Sequence, residues 1–451
     1  TADYSVSIAN AFGENNFIIS ATSSGSIDGI GFGSTIDNGS YAGVLLETID
    51  LGNKDDIASL TDAAGTNSEL TLDGGEGSDR LNGNSHANNL ILSGIDSGTL
   101  DEITFTNIEN IYLLGGDDNV TILSGGGLSG ILDGGSGKNE LIFNDAASYQ
   151  IGNDGVITVT RGEKTSEFKN FHSIKGISDD NSSQTNSLLL NNDENFVEIK
   201  GINSGNADGT EFVNISDINL SGGNDSAKVK EEGSLTGILS GGDGIDQLTL
   251  NASVLNIETF QNDESYGDFI NGNSELKTTF NSFEIITLEE GDNLVDLNIG
   301  SDQIFDSEQK NQLSIDGGEG VDTINISIDQ FEYSYLKDTN QWSNLENYIS
   351  NPTNGDLILD LSGYSIEIGN FEFVSLNIPL ENQPPTGTPL LTGDFIPGEI
   401  IDVDLSGVSD PDNPQGFIPE YSYQWEVSAD GENWEIRNQQ ESTDLDYVPS
   451  E

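Results

Sequence analysis

Four stretches of the chain hold glycines and carboxylates at one fixed spacing. They run DGGEGSDRL from Asp73, DGGSGKNEL from Asp133, SGGDGIDQL from Ser240 and DGGEGVDTI from Asp316. All read Gly-Gly-x-Gly-x-Asp-x-(Leu/Ile), except that Asn139 stands at the Asp position of the second. Glycine tolerates positive φ, so such a turn can aim successive carbonyls and a carboxylate at one point. All-oxygen ligands suit a hard cation, and calcium, which takes about six to eight oxygens in loose geometry, is the natural candidate. The candidate ligands are Asp73 and Asp79, Asp133, Asp243 and Asp246, and Asp316 and Asp322. An acidic turn upstream of each copy adds Asp56 to the first, Asp117 and Asp118 to the second, Asp225 to the third and Asp292 to the fourth. The competing reading is a set of metal-free β-turns on a surface that Asp keeps soluble.

Catalytic chemistry has thinner support. Acting on an acidic sugar needs a cationic group to neutralise the carboxylate and a base beside it. Only two histidines occur, His86 in SHANN and His172 in FHSIKG, and neither has basic residues clustered near it. Carboxylate pairs of the glycosidase kind have no distinct candidate, because Asp and Glu occur throughout. No catalytic residue is assigned. A calcium-dependent polysaccharide lyase or epimerase stands as the alternative to a structural protein.

The elements that must position the turns are strands. A second motif precedes the turns: FTNIENIYLLGGDDN around Phe105, FVNISDINLSGGND around Phe212 and FNSFEIITLEEGDN around Phe280, with weaker relatives at Leu46, Phe168 and Ile368. Its marker position falls at Glu47, Glu109, His172, Ser216, Glu284 and Glu372, with a mean step of about 65 residues. Six self-similar units are the mark of a solenoid, whose units close a core only by stacking. Marker strands alternate, Ile111 and Leu113 to one side and Asn110 and Tyr112 to the other, which is the period of a β-strand. The Gly-Gly pairs at 115 and 134, and at 222 and 241, are both 19 apart, which predicts coils that set one turn above the next at about 4.8 Å. The expected fold class is therefore all-β, a parallel β-helix or β-solenoid over residues 1–381 with roughly three coils per repeat. Residues 178–210 match the pattern worst and read as a looped coil or insertion. Phe331 to Tyr348 reads as a short helix or a lid. A Pro-rich linker spans 382–389, and short alternating strands over 390–451 suggest a β-sandwich.

Composition narrows the classes. The chain carries 78 acidic against 14 basic residues, a formal charge of −64, with no Cys and no Met. Such a charge excludes nucleic acid as a partner and invites cations. Without Cys there is neither a disulfide nor a thiolate site, so packing, ladders and bound ions must hold the fold. No apolar run is long enough for a transmembrane helix. A chain with no Met is expected to be a piece of a longer polypeptide. Disorder is the rival reading for so acidic a chain, but a hydrophobic share of 34% suffices for a repetitive core.

The glycine turns resemble those of the RTX family of secreted bacterial proteins, although the copies here are isolated rather than in tandem. That resemblance implies β-roll-like coils, calcium ions shared between turns, type I secretion and an extracellular or cell-surface location. YSYQWEVSADGENWEI resembles the Ig-like modules of large bacterial surface proteins, with Trp425 as the core tryptophan and further strands expected beyond Glu451. The combined expectation is a calcium-stabilised surface protein, an S-layer or filament subunit or an adhesin stalk, that self-associates or attaches to cell-surface polysaccharide.

Overall fold

The computed structural model describes residues 48–61, 70–152, 155–161, 164–177, 185–261, 264–271, 276–300, 311–352, 355–361, 364–378, 386–394, 401–409 and 426–436. It also describes four N-terminal strands, Ser5–Ser7, Asn16–Ala21, Ser24–Ile27 and Ile30–Gly33. The chain divides into two compact units, Thr1–Ile378 and Pro379–Glu451. The architecture is all-β, with two helices among the described residues.

In the first unit the chain passes back and forth between two long, mostly parallel sheets. Thr48–Asp50 lies in the first sheet, Ile57–Leu60 in the second, Thr71–Asp73 in the first and Arg80–Asn82 in the second, each paired in parallel with the strand one circuit back. Inward residues stack on their equivalents. Ile49, Leu72 and Phe105 form one such row, and Ala58, Leu81, Ile111, Leu132 and Phe168 form another. All are buried in a single apolar cluster, and each large side chain there contributes about 1.5–3 kcal/mol. Their alternation with polar residues makes these segments strands, because only period two keeps one face dry.

The sequence did not announce the antiparallel meanders that interrupt this pairing. Asn89–Gly94, Ser97–Leu100 and Ile103–Thr106 form one in the first sheet. Ser148–Ile151, Ile157–Arg161 and Lys164–Lys169 form the next in the second sheet. Phe196–Gly201, Ser204–Ala207 and Thr210–Val213 return to the first, and Ala252–Gln261, Glu264–Asn271 and Lys277–Asn281 to the second. The poorly matching 178–210 thus runs into a meander, while 178–184 lie outside the described residues. Between successive marker strands the chain completes an odd number of half-circuits instead of three whole coils. Asn110–Tyr112 therefore joins the second sheet, Ser173–Lys175 the first and Asp217–Asn219 the second.

Helices α1 (Gln330–Asp338) and α2 (Trp342–Ser350) follow the strand Thr323–Ile328. Asp329 caps α1, its side chain accepting from the Glu332 N–H at 2.8 Å. Helix α2 buries Leu345 and Tyr348 and packs on Leu357–Asp360 of the first sheet and Phe373–Asn377 of the second. In the second unit Leu390–Gly393 pairs antiparallel with Ile401–Asp404, and Glu426–Val427 with Glu435–Ile436. Trp425 and residues 437–451 lie outside the described residues.

Candidate site at the glycine turns

The turns do stack, but in a different register from the one the glycine pairs suggest. Gly222 pairs with Asp243 and Gly223 with Gly244, and Gly115 bridges Ser136, an offset of 21 residues rather than 19. Gly-Gly occupies different places in the upper and lower turn, so aligning the letters misplaces the backbone by two. Close approach fixes the glycine: a Cβ on Gly242, at φ +99°, would lie 1.8 Å from the Ser221 carbonyl oxygen.

One junction recurs five times among the described residues, the marker Glu47 lying outside them. A residue two before each marker adopts left-handed backbone: Asn107, Asn170, Asn214, Ser282 and Asn370, with φ of 52°, 60°, 61°, 56° and 57°. Left-handed backbone favours Asn among non-glycine residues, and four of these five are Asn. Each carbonyl there faces a turn glycine, respectively Gly74, Gly134, Gly176, Gly241 and Gly317. The junction is closed by a fourth residue, Asp79, Asn139, Asn186, Asp246 or Asp322, whose carbonyl accepts from the backbone N–H of the marker, its neighbour or both at 2.9–3.3 Å.

Of the carboxylates singled out by sequence, Asp79 meets Asp56 and Asp246 meets Asp225, while Asp322 meets Asn293 beside Asp292, each through a backbone N–H. Asp79 Oδ1 accepts from the Asp56 N–H at 2.8 Å, Asp246 Oδ1 from Asp225 at 2.7 Å and Asp322 Oδ1 from Asn293 at 2.8 Å. Asp118 and Asp225 do the same for Asn88 and Asn195, both at 2.7 Å. All five carboxylates are buried. Further out, Asp117 and Asp292 accept from Lys138 and Val321 at 2.8 and 3.1 Å. Asp73, Asp133 and Asp316 accept from the side-chain amides of Asn107, Asn170 and Asn370 at 2.5–2.7 Å. Asp243 is exposed, and its own N–H donates to the Ser221 carbonyl at 2.7 Å.

Burial sets the electrostatics. It pushes the Asp79 carboxyl up to about 7 against the opposing hydrogen bond from Asp56, with Glu109, Asp56 and Asp55 adding repulsion. Asp118 rises to about 7 and Asp246 to about 6 for the same first reason, and Asp225, Asp322 and Glu284 move in the same direction. In Asp79, Asp118, Asp225, Asp246 and Asp322 the second oxygen, Oδ2, is buried with no hydrogen-bond partner.

Calcium fits these inner oxygens poorly. It needs about six to eight oxygens, and among the described residues no three Asp, Glu, His or Cys side chains gather to hold an ion. Space is short as well: a single methyl on Gly74 would meet Asp79 Oδ2 at 2.6 Å and the Asn107 oxygen at 1.9 Å.

The sequence reading missed the markers' role. Glu109, Glu284 and Glu372 each accept, through Oε2, the N–H of Asp79, Asp246 and Asp322 at 2.7–2.8 Å. Where the fourth residue is Asn139 or Asn186 the marker is instead His172 or Ser216, so the two positions change together within this one chain. That co-variation was the available signal. Elsewhere, a groove of about 410 Å³ crosses strands of the second sheet, lined among others by Ser148, Ser187, Leu189, Asp217, Ile238 and Asn281. No family model, curated protein or solved structure matches the chain.

Proposed function

We propose that the chain is a structural protein of a bacterial cell surface, secreted and built as a parallel β-solenoid with an Ig-like module after it. It acts by spanning, assembling and attaching, without turnover. The observation that supports this reading most is the five-fold junction, which spends each unit's polar chemistry on joining one circuit to the next. A charge of −64 suits a cation-rich exterior and keeps parallel copies apart until cations screen them. Calcium, implied by the RTX resemblance, has a screening role in this reading. The groove across the second sheet offers hydroxyl and amide groups beside Leu189 and Ile238, chemistry suited to a neutral surface glycan.

Electron microscopy of the native protein in millimolar calcium tests the assembly. Sheets or filaments are the expected result, and a monodisperse monomer at all cation levels refutes it. Incubation with alginate and pectate should release no unsaturated sugar, and robust release would put the lyase reading first. Calcium and magnesium at equal ionic strength should raise the melting midpoint alike. A calcium-specific rise reversed by EGTA would show chelating sites instead.

A further inference from the structure

We propose that Asp79, Asp246 and Asp322 are neutral carboxylic acids in the folded protein, each donating its Oδ2 proton to the carbonyl of the left-handed residue opposite: Asn107, Ser282 and Asn370. The turns that look like cation sites therefore take up protons, and they lock the circuits together only while those protons are held.

The internal controls are Asn139 and Asn186. Asn139 Oδ1 accepts from the Asp118 N–H at 3.0 Å while its Nδ2 donates to the Asn170 carbonyl at 2.9 Å. Asn186 Oδ1 accepts from Ala147 at 3.3 Å, and its Nδ2 donates to the Asn214 carbonyl at 2.9 Å. One atom of this side chain accepts and the other donates. In the acidic copies the accepting atom is unchanged, and at Asp79 and Asp246 Oδ2 takes the donor's place beside the junction glycine. The Cβ position of Gly134 lies 2.7 Å from Asn139 Nδ2, and that of Gly74 and Gly241 lies 2.6 and 2.8 Å from the Oδ2 of Asp79 and Asp246. The carbonyls of Asn107 and Ser282 lie 1.9 and 1.8 Å from the same Cβ positions. Two acceptor oxygens thus face one another where the Asn copies have a donor, and a carboxylate there would leave a buried charge uncompensated. One proton on Oδ2 restores the donor that the Asn copies have there.

The surroundings favour the neutral form. Asp79 faces Glu109, Asp56 and Asp55; Asp246 faces Asp225, Asp243 and Glu284; Asp322 faces Glu372 and Asp292. All are acidic. Arg80, next to Asp79 in sequence, stacks instead on the Tyr112 ring at 3.7 Å. The upward shifts of all three carboxyls agree with this. Because the folded protein holds protons that the unfolded chain releases near pH 4, stability is fully present in acid and is lost as pH rises toward about 7 for Asp79 and about 6 for Asp246.

The test compares urea midpoints of the whole chain at pH 5 and pH 8 in EGTA-treated buffer, for the wild type and for Asp79→Asn, Asp246→Asn and Asp322→Asn singly and together. The wild-type midpoint should fall between the two pH values. Each Asn substitution should flatten the dependence and leave the midpoint at pH 8 equal or higher. The infrared C=O band of protonated carboxyl should be present in the wild type at pH 5 and reduced in the triple variant. Asn139→Asp is the converse variant: it should match the wild type at pH 5 and fall below it at pH 8. The proposal is overturned if the Asp→Asn variants are less stable at both pH values, if Asn139→Asp shows no added pH dependence, or if calorimetry with calcium chloride finds about three specific sites that the triple variant loses.

Discussion

The junction glycines differ sharply in how much room they have, which gives a test of the register free of any titration. Replacing Gly241 by Ala would put Cβ 1.8 Å from the Ser282 carbonyl oxygen, whereas carbon atoms rest at about 3.5 Å or more from such neighbours. The segment carrying Ser282, just past the strand Lys277–Asn281, would have to retreat by more than ~1 Å. Its neighbouring hydrogen bond, Gly241 N–H to the Asn281 carbonyl at 3.0 Å, would then stretch past the useful limit of about 3.5 Å. The Glu284 side chain's bond to the Asp246 N–H, at 2.8 Å, lies on the same displaced segment. Overpacking costs about 1–3 kcal/mol and each lost hydrogen bond about 1 kcal/mol, so Gly241→Ala should cost about 3–5 kcal/mol. Gly222 is the control: its φ is ordinary, and the nearest atom to its Cβ position is the Asp243 carbonyl oxygen at 3.6 Å. Gly222→Ala should be neutral within about 0.5 kcal/mol. Urea unfolding with a common slope reads both. Equal midpoints for the two variants would refute the register and the close approach at the junction.

Three further outcomes follow from the same geometry. Leu81→Ala, in the fully buried row between Ala58 and Ile111, should lower stability by about 3–5 kcal/mol in urea unfolding. Asn107→Ala loses the bond to Asp73 and puts a residue with a Cβ but no amide at φ 52°; a cost of about 1–3 kcal/mol is expected, and Asn107→Gly should recover part of it. Leu345→Asp places a charge under α2 where Leu345 is fully buried, and limited proteolysis should then cut within 330–350 before any other described segment.

Much of the strand content was legible, because Ile, Leu and Val alternate with polar residues wherever a sheet has one dry face. The marker motif also named the positions where circuits join. The meanders were not read, although GIDSG at 94–98 and GINSG at 201–205 repeat almost letter for letter at equivalent bends. In these two first-sheet meanders the signal is a pair of left-handed residues, Asp96 with Asp101 and Asn203 with Asp208, and Asp or Asn in an acidic, Asn-rich chain draws no attention. The turns were harder still. Sequence reads an Asp as a ligand and an Asn in its place as a lost ligand; the backbone around Asn139 shows that the position asks for one acceptor and one donor. Residue type alone does not reveal a proton.

Half-integer circuits between markers give the chain a parity. Whatever follows a given unit lies on the sheet opposite to the one it would occupy if that unit were absent. Deleting the stretch from one marker to the next would move every later strand to the opposite sheet while leaving its parallel partners one circuit away unchanged. Deleting two consecutive stretches would return them to their original sheet. An even step in the length of such a chain therefore keeps each later unit on its original face, and an odd step turns it to the other, because a meander begins and ends in one sheet and does not alter the count. The meanders alternate between the sheets, first, second, first, second, by the same odd count.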